Sequence, residues 1–267
     1  KGGTKVSVND LVNNNIELHA HFENVVCKKA VANTLHTEIC ERTSEGCYSA
    51  GIGTGETITY GIIPVNDEPS PGYAYDCDVN NDANFDYEHE RFYYLRTKDD
   101  NMVLIHYTNF DETGQTEGTG ENQIYKYDIA KKYLPSNKSD AVNNTWTNPN
   151  LVSMNGNISR FISLDDIESA CGSPLQMNTD DYTNSCYFIL EKTRFKDNSL
   201  SNGRSCVWVE ESDSKRFRID SRIGEVTDLG ERGNISQNGV RPVIEVSKYR
   251  VEGYHEKNAY TISFNSV

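Results

Sequence analysis

Seven cysteines restrict how this chain of 267 residues can fold more than any other feature. Cys40 and Cys47 bracket a short polar segment, and Cys171 and Cys186 bracket a polar loop. None of the seven forms a C-x-x-C pair or a Cys/His zinc spacing. The pattern predicts three disulfides and one free thiol. The disulfide candidates are Cys27, Cys40, Cys47, Cys77, Cys171 and Cys186, and the free thiol is Cys206.

Three disulfides require an oxidising compartment outside the cytoplasm, so we expect a secreted protein or one attached to a cell surface. The alternative is a cytosolic protein with seven reduced, buried cysteines. The sequence begins at Lys1 without an apolar targeting segment, as expected of a processed or trimmed chain. It contains no run of about 18 apolar residues, so membrane insertion by this segment is not predicted.

The charge balance excludes one class of partner. The chain carries 26 basic and 40 acidic side chains, which gives a formal net charge of −14 at pH 7. Proteins that grip nucleic-acid phosphates rely on clustered Lys and Arg. A nucleic-acid partner is therefore not expected. Separately, we predict that the protein is a monomer.

The hydrophobic pattern predicts an α+β fold rich in strands and loops. Residues 1–90 are loop-rich and hold four of the cysteines. Residues 91–108 contain two β-type apolar runs around a polar turn, which predicts a hairpin. Ser163 can cap a helix that ends before Gly172, and a second short helix is predicted at about 184–192. Beyond residue 200 the apolar runs predict a β-meander.

An acidic segment between residues 76 and 90 carries the clearest chemical signal. Oxygen-bearing side chains occupy every second position, and the segment begins as D-x-[DN]-x-[DN], like a calcium loop. Ala83 stands where an EF-hand has glycine, and His89 stands where it has a bidentate Glu. The alternative is a solvated acidic turn. We predict bound Ca²⁺, with the ligands Asp78, Asn80, Asp82, Asn84, Asp86, Glu88 and Glu90.

Other candidate chemistry is weaker. His19 and His21 alternate as a strand pair would, but no third metal ligand lies nearby in the sequence. No nucleophile elbow, zinc-protease motif or phosphate-binding glycine loop is present, so no catalytic residue is predicted. The tyrosines at 93, 94 and 107 are interpreted as core residues.

Four segments together resemble a largely uncharacterised family of secreted or surface-attached proteins of Gram-positive bacteria. The segments are CKKAVANTLHTEIC (27–40), YDCDVNNDANFDYEHERFYYL (75–95), IESACG with NSC (167–186) and GVRPVIEV (239–246). The resemblance implies a surface location. Relatives usually carry glycine at the position of Ala83.

The C-terminal half resembles, more distantly, the C-type-lectin-like fold of formylglycine-generating enzymes. Arg160 and the segment 163–170 match a helix there, and Gly239-Val-Arg241 matches a terminal strand. This resemblance implies that Arg160 is a structural partner of a carboxylate. Formylglycine-generating activity is not implied, because it requires a reactive cysteine pair and only Cys206 follows the second predicted helix.

Three parts are predicted. Residues 1–90 form a disulfide-stapled N-terminal part with the acidic loop, residues 91–250 form a C-type-lectin-like domain, and residues 251–267 form a terminal strand or the start of another module. The expected function is ligand binding or adhesion at a bacterial surface, toward a glycan or a protein. The alternatives are a carbohydrate-active or oxidative enzyme on the same fold, and a subunit of a pilus-like assembly.

Overall fold

The computed structural model describes residues 26–39, 53–79, 82–109, 124–128, 130, 160–172, 186–189, 206–212, 215–220, 225–230 and 237–252. The strands are β1 (Cys27–Lys29), β2 (Thr37–Ile39), β3 (Thr57–Thr59), β4 (Ala74–Cys77), β5 (Arg91–Lys98), β6 (Asn101–His106), β7 (Ile124–Lys126), β8 (Cys206–Ser212), β9 (Lys215–Asp220), β10 (Glu225–Asp228), β11 (Gln237–Gly239) and β12 (Val243–Ser247). Helix α1 covers Leu164–Cys171, and 3-10 turns cover Ala32–Thr34, Cys186–Ile189 and Lys248–Arg250. This mixture confirms the α+β prediction.

The first sheet has the antiparallel strand order β1-β4-β5-β6-β12. Its centre is the predicted hairpin of β5 and β6, in which Lys98 pairs with Asn101 across a two-residue turn. Both turn residues, Asp99 and Asp100, have positive φ angles, as the tight turns of twisted hairpins require. The sheet takes strands from both sides of residue 90, so the acidic loop joins two neighbouring strands of one sheet.

The second sheet has the order β10-β9-β8-β11-β7. Strands β8, β9 and β10 are consecutive and antiparallel, as the predicted meander requires. Strand β11 then returns parallel to β8 and pairs with β7 on its other side. Strands β2 and β3 form a separate two-stranded sheet.

The first five residues of β5 are buried on both faces of the sheet, because alternate residues enter different hydrophobic clusters. Tyr93 and Leu95 pack in one cluster, and Phe92 and Tyr94 pack in the other. Tyr107 is also buried, with 1% of its surface exposed. The interpretation of the three tyrosines at 93, 94 and 107 as core residues is therefore confirmed.

Helix α1 begins and ends where its sequence predicts. The Ser163 hydroxyl accepts a hydrogen bond from the Asp166 backbone N–H, and the Asp166 carboxylate accepts one from the Ser163 N–H. This reciprocal capping satisfies two of the backbone donors that a helix start leaves free. At the other end, the Gly172 N–H donates to Glu168 O.

Of the second predicted helix, the structure describes Cys186–Ile189, which form a 3-10 turn and not an α-helix. The guanidinium of Arg241 donates to the backbone oxygens of Phe188 and Ile189. A side chain about 50 residues further along the chain therefore holds the backbone of this turn.

Two disulfides confirm part of the cysteine prediction. Cys27 and Cys77 lie opposite each other on β1 and β4 and are bonded. Cys171, at the end of α1, is bonded to Cys186 at the start of the 3-10 turn. Cys206 begins β8. Cys40, Cys47, the pair at His19 and His21, and residues 253–267 lie outside the described residues.

Candidate metal site in the acidic loop

The acidic loop leaves the first sheet at Cys77 and re-enters it at Arg91. The Cys77 N–H donates to Glu90 O at 2.9 Å, which closes the base of the loop. The buried carboxylate of Glu90 accepts hydrogen bonds from the N–H groups of Val79 at 3.1 Å and Asp86 at 3.2 Å. Glu90 therefore holds the two halves of the loop together from within.

The first half of the loop is shaped by Asp78. Its two carboxylate oxygens accept from the N–H groups of Asp82 at 3.0 Å and Ala83 at 3.1 Å. Asp82 in turn accepts from the Asn84 N–H at 2.7 Å. Ala83 has a φ of 67°, in the left-handed region that favours glycine, so this turn takes the conformation that a calcium loop gives to glycine.

The second half of the loop brings three candidate ligands together. Asp86, Glu88 and His89 each offer one ligand atom, and the three atoms lie within 4.8 Å of one another. Asp86 Oδ2 lies 2.6 Å from His89 Nδ1, and Asp86 Oδ1 accepts from the Glu88 N–H at 2.9 Å. Two carboxylates and an imidazole at this spacing can hold a metal ion.

The surroundings of Asp86 lower the pKa of its carboxyl group. Partial burial raises the pKa of Asp86, but hydrogen bonds from His89 and from the Glu88 backbone outweigh it, and the net pKa lies below its ordinary value. Asp86 is therefore ionised at neutral pH, the form that binds metals.

The turn that carries these ligands is anchored through three consecutive backbone oxygens. His36 Nε2 lies 2.8 Å from Tyr87 O, the Tyr107 hydroxyl donates to Glu88 O, and His106 Nε2 lies 2.8 Å from His89 O. The rings of His36 and Tyr107 are stacked with centroids 4.2 Å apart.

The His106 ring is fully buried. Burial lowers its pKa to about 3, so it is neutral at neutral pH. The anchor of His89 O is consequently an uncharged part of the core and does not titrate in the physiological range.

The structure groups two of the predicted ligands, Asp86 and Glu88, with His89. The carboxylates of Asp78, Asp82 and Glu90 accept hydrogen bonds from the loop's own backbone, Asn84 donates its backbone N–H to Asp82, and Asn80 lies outside the described residues. His89 was absent from the predicted set. The sequence feature that could have identified His89 is its spacing of three residues from Asp86, because a helical turn places such residues on the same face.

The acid at position 76 is paired with an arginine. Asp76 is buried and bonds to the fully buried guanidinium of Arg91, with 2.6 Å between Oδ1 and Nε. Burial raises the pKa of Asp76, and the bonds from Arg91 oppose that rise.

Two further observations bear on function. Among the described residues, no helix has the length and apolar character needed to cross a membrane. Comparison with protein-family models, curated proteins and solved structures gives no significant match.

Proposed function

We propose that this protein is an extracellular ligand-binding or adhesion module of a bacterial surface, and that Ca²⁺ at the acidic loop stabilises it. The observation that carries the proposal is the grouping of Asp86, Glu88 and His89 on a turn anchored to the sheet through three backbone oxygens. A metal held there fixes a surface loop relative to a rigid sheet.

Calcium is the metal that best suits this position. It takes six to eight oxygen ligands, and two carboxylates can supply as many as four, with water completing the shell. The imidazole of His89 adds a nitrogen that Zn²⁺ or Mn²⁺ would use more readily, so both ions belong in the test. The two disulfides support an oxidising environment, where Ca²⁺ is abundant.

The proposed mechanism is rigid display on a C-type-lectin-like framework. Ca²⁺ neutralises the loop carboxylates, whose mutual repulsion otherwise opposes a single loop conformation. The fixed loop then presents its polar and aromatic groups to a glycan or a protein. Ordering the loop before binding reduces the entropy cost of binding the ligand.

The metal is tested by calorimetric titration and by thermal melting in chelator and in Ca²⁺, Mn²⁺ or Zn²⁺. We expect Ca²⁺ to raise Tm, and the variant Asp86→Asn/Glu88→Gln to weaken Ca²⁺ binding at least about tenfold. Glu252→Gln, which removes an exposed acid outside the loop, is the matched control. Equal Ca²⁺ affinity in both variants contradicts the site, and preference for Zn²⁺ contradicts the choice of metal.

Ligand binding is tested with glycan and protein arrays, probed with the Ca²⁺-saturated protein and with chelator-treated protein. Binding that requires Ca²⁺ and is lost in Asp86→Asn/Glu88→Gln supports the display mechanism. Binding that is identical with and without Ca²⁺ supports the module but refutes the role of the metal. The absence of any array ligand contradicts the binding function.

A further inference from the structure

The first sheet curves until its two edges meet. Strands β1 and β12 lie at opposite ends of the strand order, yet Val251, four residues after the end of β12 at Ser247, pairs in parallel with Cys27 of β1. In a flat sheet the position beside the free edge of β1 would lie about 24 Å from β12. Four residues span at most about 14 Å, so the sheet must be strongly curved.

Backbone hydrogen bonds join the two edges. The Val26 N–H donates to Arg250 O, and the Glu252 N–H donates to Cys27 O, both at 2.9 Å. The side chains of Val26, Cys27 and Val251 are buried in one hydrophobic cluster. We call the segments 26–27 and 250–252 the closing pair. Burial of these side chains keeps water away from its hydrogen bonds.

A covalent bond fastens one half of the closing pair to the rest of the sheet. Cys27 lies opposite Cys77 of β4 and forms a disulfide with it. The Asp78 N–H also donates to Val26 O at 2.9 Å. A force that pulls on β1 is therefore transmitted to β4 through the disulfide and cannot peel β1 away beyond Cys27.

The parallel orientation decides how tension acts on the closing pair. In a parallel pair, the chain enters one segment and leaves the other at opposite ends. Tension that pulls the chain before Val26 away from the chain after Glu252 therefore acts along both segments, in opposite directions. The hydrogen bonds between the segments are then loaded together, in shear, and do not open one after another.

We propose that the closing pair is a mechanical clamp, which lets this protein carry tension along its chain without unfolding. Tension passes from Val26 and Cys27 directly to Glu252. The strands between these residues are therefore not stretched until the clamp breaks. The clamp requires neither the proposed metal nor a ligand, so it can fail while the proposed function holds, and the reverse.

Single-molecule force spectroscopy of the full chain in two pulling directions tests the clamp. Attachment at both chain ends loads the closing pair in shear. Attachment at Lys98→Cys and at the C-terminal end instead opens β6 and β12 from their common end, because Asn101 pairs with Ser247. We expect the rupture force to be at least about twofold higher in the first direction, because there the hydrogen bonds must break together. Equal rupture forces in the two directions contradict the clamp.

Two substitutions of one residue separate the backbone hydrogen bond from the side chain. Glu252→Pro removes the N–H that bonds to Cys27 O and should lower the end-to-end rupture force by about half, because one of two hydrogen bonds loaded together is lost. Val251 has a φ of −102° and a ψ of 126°, a conformation that the residue before a proline readily adopts. Glu252→Gln keeps the N–H and should leave the force unchanged. Equal rupture forces in these two variants overturn the proposal.

A third variant controls for general stability. Ile219→Val removes a buried methylene group from β9 in the second sheet. We expect urea unfolding to show a loss of stability, while the end-to-end rupture force stays within about a tenth of the wild-type value. A fall in rupture force as large as that of Glu252→Pro would show that the force follows overall stability, which also overturns the clamp.

Discussion

The buried carboxylate of Asp166 lies 2.6 Å from the guanidinium of Arg160, six residues earlier in the chain. The same carboxylate accepts from Arg96 Nε on β5 at 2.9 Å and from the Ser163 N–H at 3.0 Å. Arg160 also bonds to Glu245 on β12 at 3.0 Å. Asp166 therefore both caps α1 and fastens it to the first sheet.

Removing this charge should cost more stability than any change at the helix surface. We expect Asp166→Asn to lower the free energy of unfolding by about 3 kcal/mol, because two arginines lose a buried partner. Asp165→Asn is the control: the Asp165 side chain is 72% exposed, and its pair with Arg96 should contribute less than about 1 kcal/mol. Urea unfolding of both variants measures the difference, and equal losses would contradict the assignment.

The same carboxylate predicts a loss of stability in acid. Burial raises the pKa of Asp166, but the bonds from Arg160 outweigh it, and the folded-state pKa lies below the ordinary value. A lowered folded pKa gives stability that is present above the unfolded pKa of about 3.9 and is lost as the pH falls through the folded pKa. Urea unfolding between about pH 5 and pH 2 should show a steeper acid loss for the wild type than for Asp166→Asn. Parallel curves would refute the prediction.

Ala83 has a left-handed backbone that costs an alanine more than a glycine. We expect Ala83→Gly to raise the free energy of unfolding by about 0.5–1 kcal/mol and, if the loop binds Ca²⁺, to leave the affinity unchanged or improved. Ala32→Gly, in an exposed 3-10 turn without a positive φ, should instead destabilise. A loss of stability in Ala83→Gly would show that the turn adopts another conformation in solution.

The two disulfides should contribute unequally. In the chain-entropy account, the stabilisation by a disulfide increases with the logarithm of the number of residues in the loop that it closes. Cys27 and Cys77 are separated by 50 residues, and Cys171 and Cys186 by 15. Paired Cys→Ser replacement should therefore cost about 4 kcal/mol for the first and about 3 kcal/mol for the second. Denaturant unfolding of the two double variants measures both losses in the free energy of unfolding. A larger loss for the Cys171–Cys186 pair than for the Cys27–Cys77 pair would contradict the prediction.

Asn238 is wholly buried, and neither amide atom of its side chain has a partner within the described ranges. Asn238→Leu keeps the approximate shape and removes two unsatisfied groups, so we expect it to stabilise by about 1–2 kcal/mol. Asn101→Leu, at the β5–β6 turn, should change stability by less than about 0.5 kcal/mol. Thermal melting compares them. Marked destabilisation by Asn238→Leu would mean that the amide has a bound partner.

Features governed by near neighbours in the sequence could be predicted. The hairpin of β5 and β6, the cap at Ser163 and the end of α1 at Gly172 depend on alternation and on residues three or four positions apart. The Cys171–Cys186 bond also spans a short loop. The second predicted helix differs in its described part, where Cys186–Ile189 form a 3-10 turn, and the bonds from Arg241 to its backbone come from a residue about 50 positions away.

The sequence by itself determined that residues 76–90 are rich in oxygen-bearing side chains at alternate positions, because composition and alternation are local properties. Only the tertiary structure decided which oxygens meet. Asp78 and Glu90 bond to the loop backbone, whereas Asp86, Glu88 and His89 converge. That choice depends on where His36, His106 and Tyr107 hold the backbone oxygens of the turn. Contacts between segments so far apart in sequence form only when the sheet has brought them together.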